Sequence, residues 1–270
     1  MTNCTFSALV APHKQDFKLP LAIYKEFYRK EESSFNIGWS RIKRNIYIDI
    51  DELKLDEPDK CNCSGDQQCE TDDCSNRCIF IECSPGNCSK DCKNQRIGKF
   101  QYLNNNEYSI KFNPRKGWSV HADIKLFKGE YLMEYTGEVI SLRRFKQRQK
   151  EMKDKRNFYF LQFQNRIIDA FKKGSDARFV NHSCDPNTHT EVWTVENKKR
   201  LGLFASRDIE IGEELTYNYN YTADESYPCF CGSRNCTGIM GKKIEYSNVA
   251  QSSKANKTKS NRHEVTIPLI

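Results

Sequence analysis

The sequence lacks any long apolar run. A helix that crosses a membrane needs about eighteen or more consecutive apolar residues, and no segment of the 270-residue chain approaches that length. The first residues, Met1 to Pro12, also lack a positively charged start followed by a long apolar stretch. We therefore expect neither membrane insertion nor secretion, and hence a reducing compartment.

Several catalytic signatures are missing as well. The chain has no G-x-G-x-x-G, no G-x-x-x-x-G-K-[ST], no H-E-x-x-H and no G-x-S-x-G motif. Nucleotide hydrolysis and metalloproteolysis therefore lose support. Only five histidines occur, and none are paired at ligand spacing, so any zinc is expected in closed, structural sites made of thiolates.

The composition nevertheless supports a folded chain of one to two domains. Hydrophobic residues make up 37% of the sequence and aromatic residues 12%, which is enough for a core. The formal charge of +7 favours polyanionic partners without proving one. The excess is local, because residues 93–246 carry 27 basic and 19 acidic residues, whereas 61–92 carry two basic and six acidic residues.

Cysteine is the most informative residue type, because eight of the thirteen cysteines fall between residues 61 and 92. At that density, metal thiolates are expected more often than disulfides. Two separate zinc ions need eight thiolates, whereas two ions with one shared thiolate need seven and leave one spare, and the sequence alone does not choose. Cys78 is the best candidate for a spare, buried thiol, because the apolar run Ile79 to Ile81 follows it.

A second cysteine group near the C-terminus consists of Cys229, Cys231 and Cys236. Three thiolates need a fourth ligand, and Cys184 is the obvious donor. For both groups the alternative is a disulfide or reduced structural framework. Cys4 is expected to be an ordinary free thiol.

The region between the cysteine groups predicts a mostly β fold with short helices. Its one clear helix is expected over Leu142 to Arg156, which holds eight basic and two acidic residues and is interpreted either as a solvated face or as a nucleic-acid contact. An amphipathic stretch is expected over Leu19 to Lys30. The predicted strands are Glu107–Asn113, Gly129–Thr136, Phe158–Phe163, Arg166–Ala170, Glu191–Val195 and Leu201–Ala205.

Two stretches are polar or aromatic where a core strand would be aliphatic: NHSCDPN at 181–187 and GEELTYNYNY at 212–221. Both closely resemble the signature motifs of SET-domain protein lysine methyltransferases. The resemblance covers about residues 61–243. The cysteine-rich segment from residue 61 is similar to the AWS module of the Ash-like and NSD-like lysine 36 methyltransferases. CFCGSRNCTGIMGKK resembles a post-SET zinc motif, with Lys where the family form has a second Gly.

The resemblance implies a SET-type β fold, with several small curved sheets and a pseudoknot, flanked by zinc-thiolate modules. It implies two zincs in the first module through seven cysteines, one of them shared. Cys78 then stays spare. The implied ligands are Cys61, Cys63, Cys69 and Cys74 for one zinc, Cys69, Cys83, Cys88 and Cys92 for the other, and Cys184, Cys229, Cys231 and Cys236 for a third.

The same resemblance implies methyl transfer from S-adenosylmethionine to a lysine amine, in a narrow and largely dry channel with aromatic walls. Tyr219 is the implied principal active-site tyrosine, and Tyr159 would help to form the lysine channel. Tyr217 stands where family members carry Phe or Tyr, and a hydroxyl there can hold a water that crowds the amine. We therefore expect mono- and dimethylation more than trimethylation. Outside such motifs, a tyrosine is more often a core or sheet residue.

For the cofactor, the resemblance implies a site that also includes the principal tyrosine. The implied cofactor residues are Lys116, Gly117, Trp118, Tyr135, Arg178, Asn181, His182, Tyr219 and Phe230. Ser119 stands where the family usually has Gly, and it would be strained if φ at this position were positive.

The implied substrate is histone H3, with lysine 36 favoured, in nucleosomes whose DNA would meet the basic residues. We expect a monomeric catalytic unit in the nucleus, bound to chromatin. The expected division is an N-terminal extension (1–55), an AWS-like zinc module (56–105), a SET catalytic domain (106–222), a post-SET zinc module (223–246) and a disordered basic tail (247–270).

Three alternatives stay open. A lysine 9 or lysine 4 methyltransferase also carries a cysteine-dense module, although its usual nine-cysteine pattern does not fit eight. A catalytically silent, zinc-bound chromatin-binding module is favoured only by Ser119. A zinc-dependent DNA-binding protein leaves the tyrosine motif unexplained and lacks the spacing of C2H2 fingers.

Overall fold

The computed structural model describes residues 39–240 and 268–269, except 53–54, 56–58, 65–68, 85, 87, 89–90, 114, 152–158 and 221–226. The chain divides into two units, Met1–Trp39 and Ser40–Ile270. Apart from Trp39, the first unit lies outside the described residues, and so does the predicted stretch Leu19 to Lys30.

The largest sheet is built around three antiparallel strands, β6 (Gly137–Ser141), β7 (Phe160–Phe163) and β8 (Arg166–Gly174). Strands β1 (Ser40–Arg41) and β2 (Ile46–Tyr47) add to it in parallel, on β8 and β6 respectively, and β15 (Pro268–Leu269) pairs antiparallel with β7. Apolar side chains of the three central strands, such as Leu161 and Ile168, are buried.

A second sheet joins β5 (Tyr131–Glu134), β10 (Thr188–Val195) and β11 (Lys198–Ala205) in the antiparallel order β10-β11-β5. Its aromatic face packs the rings of Tyr131, Trp193 and Phe204 together. The guanidinium of Arg200 pairs with the buried carboxylate of Glu134. Burial alone would make that carboxylate costly, so the paired arginine is what allows it in the core.

Three small sheets complete the fold. β3 (Tyr108–Asn113) and β4 (Gly117–Ala122) form a hairpin, and β13 (Tyr227–Pro228) pairs antiparallel with β14 (Ile239–Met240). β9 (Asn181–His182) and β12 (Thr216–Tyr217) pair in parallel, with Asn181 opposite Thr216 and Tyr217 opposite His182. The β9–β12 pairing matters most for function, because it joins the two polar motifs of the sequence.

One α-helix occurs within the described residues, α1 (Leu142–Glu151). The sequence favours it because it lacks Gly and Pro and presents Phe145, which packs on Phe160 with ring centroids 4.9 Å apart. Arg148 pairs with Asp169 at 2.5 Å and with Glu138 at 2.8 Å. The prediction of a helix to Arg156 is confirmed as far as Glu151, and residues 152–158 lie outside the described part of the chain.

The mostly β architecture confirms the predicted fold class. All six predicted strands occur, with shifted ends. The strands Gly117–Ala122 and Gly137–Ser141 were not predicted, and neither were the two-residue strands at 40–41, 46–47, 181–182, 216–217, 227–228 and 239–240. Of the tail expected to be disordered, Pro268–Leu269 forms a strand, and 247–267 lie outside the described residues. No helix in the described part is long and apolar enough to span a membrane.

Candidate active site and thiolate clusters

The β9–β12 pairing brings the two sequence motifs into direct contact. Beyond the two paired residues, the amide of Ser183 donates to the carbonyl oxygen of Tyr217 at 3.1 Å. The side chain of Asn187 also donates to the carbonyl of Glu214 and accepts from the amide of Thr216, at 2.9 and 2.8 Å. The stretch that ends in Tyr219 is therefore held along its length by the stretch that starts at Asn181.

Tyr219 is held by hydrogen bonds from both its side chain and its backbone. Its hydroxyl donates to the carbonyl oxygen of Val180 at 3.0 Å, and its amide donates to Nδ1 of His182 at 3.1 Å. The Tyr217 ring lies 4.7 Å from the Tyr219 ring, centroid to centroid. Since the hydroxyl proton of Tyr219 is committed to Val180, its oxygen keeps lone pairs that can accept a hydrogen bond from another group.

The tyrosines of this site remain protonated near neutral pH. Burial raises the pKa of Tyr217 well above 10, and burial followed by the charges of Tyr159 and Glu214 raises the pKa of Tyr219. Burial likewise raises the pKa of Tyr135 and of Tyr159. These phenols can position a group and exclude water, but they cannot serve as phenolate bases near pH 7.

Arg178 lies against the aromatic wall of this site. Its guanidinium carbon is 3.6 Å from the centre of the Tyr159 ring, and it also faces Phe179 at 5.2 Å. Phe179 in turn meets Tyr159 edge-on at 6.0 Å. Burial lowers the pKa of Arg178, which nevertheless stays charged as arginines do. The position suits a cation–π contact that orients Tyr159.

The turn at Lys116 to Trp118 meets the site from the β3–β4 hairpin. The Lys116 ammonium pairs with Glu214, and the carbonyl oxygen of Trp118 accepts a 3.1 Å hydrogen bond from the Asn181 amide. Gly117 has φ of +76°, a left-handed conformation that glycine adopts at little cost.

Ser119 is not strained, because it is not among the residues with positive φ. Its buried hydroxyl donates to the carbonyl of Lys111 and lies 3.0 Å from Nε2 of His121. The doubt that the sequence raised at this position is thereby removed, since a side chain fits here and is hydrogen-bonded.

Seven cysteines of the N-terminal group form what we call the front cluster. Five are buried and two pack against them. The Sγ–Sγ distances include 3.4 Å for Cys61–Cys69, 3.7 Å for Cys69–Cys88 and 3.8 Å for Cys74–Cys83. The front cluster consists of Cys61, Cys63, Cys69, Cys74, Cys83, Cys88 and Cys92.

The front cluster fits zinc. Four thiolates at zinc–sulfur distances of about 2.3 Å in a tetrahedron stand about 3.8 Å apart, as these sulfurs do. The front cluster contains two groups of four cysteines, and within each group all four sulfur atoms lie within 4.8 Å of one another. The first group is Cys61, Cys63, Cys69 and Cys74, and the second is Cys61, Cys69, Cys83 and Cys88, so Cys61 and Cys69 belong to both. The amides of Asn76 and Asn94 both point at Cys83 Sγ, at 3.7 and 3.4 Å, as donors to a thiolate would.

The second group differs from the ligand set that the resemblance implied for the second zinc, because it contains Cys61 in place of Cys92. Cys92 is buried within the same cluster. Cys78 belongs to neither group, and its thiol donates to the carbonyl of Ser75 at 3.2 Å. The expectation that Cys78 packs as a buried thiol is wrong, because it is exposed. The apolar run after it is exposed too, at Ile79 and Phe80, so there is no core for the thiol to enter.

The rear cluster consists of Cys184, Cys229, Cys231 and Cys236, whose sulfurs also lie within 4.8 Å of one another. Its spacing again fits a zinc tetrahedron, with Cys184 Sγ at 3.8 Å from Cys229 and 4.0 Å from Cys236. Phe230, between two of these cysteines, is 49% exposed.

His182 connects the rear cluster to Tyr219. Burial lowers the pKa of His182, so the ring is neutral at pH 7 and carries one proton. Nδ1 accepts the Tyr219 amide, so the proton resides on Nε2, which faces Cys184 Sγ at 3.6 Å. A neutral ring can satisfy both contacts only in this tautomer.

The sequence did not single out Glu214, Phe179 or Val180 as parts of the site. Glu214 lies inside the motif at 212–221, but nothing local indicates that its carboxylate meets Lys116 and Asn181. Phe179 lies in an ordinary apolar pair, Phe179 and Val180, just before the motif at 181–187. Val180 contributes only a backbone carbonyl, for which no side-chain signal exists.

The comparison with known families agrees with this geometry. Residues 117–220 match the family described as SET domain. That match includes Gly117 and Trp118 of the turn, β9, β12 and Tyr219. Residues 117–220 therefore form a SET domain.

Relatives narrow the resemblance further. The chain is 36% identical over 248 residues to the histone-lysine N-methyltransferase ash1 of Drosophila melanogaster, an alignment that covers 86% of this chain and 11% of that protein. It is 41% identical over 184 residues to an H3 lysine-36 specific histone-lysine N-methyltransferase of Gibberella zeae, covering 65% of this chain and 20% of that protein. The chain thus spans a minor part of the length of these relatives.

Solved structures share the fold. The methyltransferase domain of human histone-lysine N-methyltransferase SETMAR superposes with a TM-score of 0.63 at 22% identity, covering 75% of this chain and 88% of that one. KRYPTONITE in complex with mCHG DNA and SAH gives a TM-score of 0.59 at 25% identity, covering 75% of this chain and 47% of the other.

Proposed function

We propose that this chain is a protein lysine methyltransferase that uses S-adenosylmethionine. The observation that carries the proposal is the hydrogen-bonded pair of motifs around Tyr219, with its hydroxyl on Val180 and its backbone on His182. The names of the relatives and the SAH in KRYPTONITE support the cofactor and the reaction class.

Bound S-adenosylmethionine would supply a methyl group on a sulfonium, which an amine attacks in line. The chain's own part is to hold and desolvate the amine. Tyr219 offers oxygen lone pairs to an amine N–H, while Tyr159 and Tyr217 form aromatic walls. Because these phenols stay protonated, none of them takes the proton of the lysine ammonium near neutral pH.

For the cofactor we propose Lys116, Gly117 and Trp118, with the backbone of Asn181 and His182, and with Tyr135 and Phe230 at the margins. The side chain of Asn181 already spends both N–H donors within the protein, so its amide contributes by holding the turn. For Arg178 we favour the support of Tyr159 over a direct contact with the cofactor.

We propose zinc as the metal of both clusters, with two ions in the front cluster and one in the rear. The closed, all-sulfur ligand sets leave no position for a substrate, so the metals are structural. We further propose the division into an N-terminal extension (1–55), an AWS-like module (56–105), a SET catalytic domain (106–222), a post-SET module (223–246) and a tail (247–270).

The proposed substrate is lysine 36 of histone H3 in nucleosomes, with mono- and dimethylation as the main products, in the nucleus. The support is the number of relatives named H3 lysine-36 specific, together with the cysteine spacing of the front cluster. On α1, Arg143, Lys146 and Lys150 are exposed, and this basic face suits contact with nucleosomal phosphates.

The test measures methyl transfer to recombinant nucleosomes and to free histone H3, with lysines 4, 9 and 36 of H3 each replaced by Arg, and maps products by mass spectrometry. We expect activity to vanish only with lysine 36. Undiminished activity on nucleosomes without lysine 36 would refute the assignment. Replacing Arg143 and Lys146 together by Ala should lower activity on nucleosomes and leave activity on free H3 unchanged.

A further inference from the structure

Glu214 joins three segments of the candidate site. One carboxylate oxygen pairs with the Lys116 ammonium, and the other accepts a 3.0 Å hydrogen bond from the Asn181 amide. The side chains of Lys116 and Glu214 are only 16% and 19% exposed. Removing one partner of so shielded a pair leaves the other charge poorly solvated, unlike at an open surface.

The Asn181 amide extends this connection to the backbone of the turn. It has two N–H donors, and they go to Glu214 and to the carbonyl oxygen of Trp118. Glu214 therefore fixes the orientation of an amide that itself holds the turn. Loss of the acceptor at 214 would free that amide to rotate, whereas loss of the charge alone would release the Lys116 ammonium.

Two further contacts of the turn lie within its own hairpin. The amide of Lys116 donates to the carbonyl of Asn113 at 3.2 Å, and the Trp118 ring packs on Phe112 with centroids 5.2 Å apart. Neither contact fixes the turn relative to β9. The bonds to Glu214 and Asn181 do so, because they cross from the hairpin to the two motifs at 212–221 and 181–187.

We propose that Glu214 is a positioning residue for S-adenosylmethionine: it holds Lys116 to Trp118 and Asn181 in the arrangement that binds the cofactor, without touching the cofactor itself. The inference rests on the proposed function, because it takes this turn to be the cofactor site. Without the Glu214 carboxylate, S-adenosylmethionine must also order the turn at Lys116 to Trp118 when it binds, so the affinity for the cofactor falls. The rate of methyl transfer from the bound cofactor is preserved.

The test is calorimetric titration of S-adenosylhomocysteine into the wild-type chain, Glu214→Gln and Glu210→Gln. Glu210 is a matched control, because it pairs with Lys125 between the same two parts of the chain but is 70% exposed. We expect the dissociation constant to rise about tenfold in Glu214→Gln, as for the loss of a charge-assisted hydrogen bond. In Glu210→Gln it should change less than about twofold.

Kinetics should show a raised KM for S-adenosylmethionine in Glu214→Gln with kcat nearly unchanged, whereas general structural damage would lower kcat. Lys116→Gln should weaken binding at least as much, and the double variant no further than Lys116→Gln alone, because the Lys116 change already breaks the connection to Glu214. Equal affinities of wild type and Glu214→Gln, or additive losses in the double variant, would overturn the inference. Failure of the wild-type chain to bind would overturn the proposed function instead.

Discussion

The front and rear clusters have the same ligand chemistry but different connections to the rest of the chain. The front cluster draws its sulfurs from residues 61–92, and the segment that carries it joins β10 through backbone bonds between Glu82 and Thr194 and between Thr194 and Phe80. The rear cluster takes Cys184 from the motif after β9, and His182 connects that sulfur to Tyr219. The front cluster thus holds one segment together, whereas the rear cluster also contacts the proposed active site through His182.

The largest expected effect is a loss of folding stability when the front cluster, and not the rear cluster, loses its metals. Cys69→Ser removes a sulfur that both groups of the front cluster share, so both metals should be lost. Because small thiolate modules depend on metal for folding, we expect the free energy of unfolding to fall by more than about 4 kcal/mol. Zinc content and urea unfolding measure this.

The matched control for Cys69→Ser is Cys78→Ser, at an exposed cysteine outside both groups. It should leave zinc content and stability unchanged. Loss of zinc from Cys78→Ser, or full zinc content in Cys69→Ser, would contradict the shared-ligand arrangement.

The next largest effect is a loss of activity at the proposed active site that leaves both clusters intact. Tyr219→Phe removes the hydroxyl that bonds Val180 and touches no cysteine ligand, so zinc content should not change. We expect kcat to fall about a thousandfold, as when a preorganised polar group at a reacting centre is removed. Single-turnover methyl transfer measures the change.

Tyr131→Phe is the control for that variant, because the Tyr131 hydroxyl is buried and has no hydrogen-bond partner in the described residues. Its removal should preserve activity and raise stability slightly. A Tyr219→Phe enzyme as active as Tyr131→Phe would remove Tyr219 from the reaction.

A smaller effect tests the connection through His182. Cys236→Ser should remove the rear zinc only. Without that metal, Cys184 is no longer held in place and should no longer fix the His182 ring, which accepts a hydrogen bond from the Tyr219 backbone amide. A shift of the reacting group by about 1 Å costs about a hundredfold in rate, so kcat/KM should fall by about that factor with the front module still folded. If the rear zinc is lost and the rate is unchanged, the two regions are independent.

The sequence predicted more of the clusters than of their surroundings. Cysteine spacing is local, so both groups and the role of Cys184 as fourth ligand could be proposed from residue positions alone. The tyrosine motifs were recognised too. The parallel pairing of residues 181–182 with 216–217 was not deducible, because it depends on how the intervening β10 and β11 fold back.

The missed elements have physical reasons. The strand Gly117–Ala122 starts with glycine and alternates with polar Ser119 and His121, so it lacks a strong strand pattern. The burial of Ser119 and the packing of Arg178 on Tyr159 are decided by partners far along the chain. Cys78 was misjudged because the apolar residues after it do not enter a core. Ile79 is exposed, and the partly exposed Phe80 meets the Trp193 ring edge-on.

The smallest expected effect leaves the rate nearly intact and changes the product. Tyr217 is buried beside Tyr219, and its hydroxyl takes up room and can hold a water close to the amine. Tyr217→Phe removes that hydroxyl while keeping the ring and both clusters, so a more methylated amine should fit and turn. We expect the trimethyl fraction of lysine 36 to rise from minor to dominant, with the first methyl transfer within about threefold of wild type, since only one solvated hydrogen bond is lost. Mass spectrometry of nucleosomes along a time course measures this. A wild-type product that is mainly trimethylated, or an unchanged distribution in Tyr217→Phe, would show that Tyr217 does not limit the product.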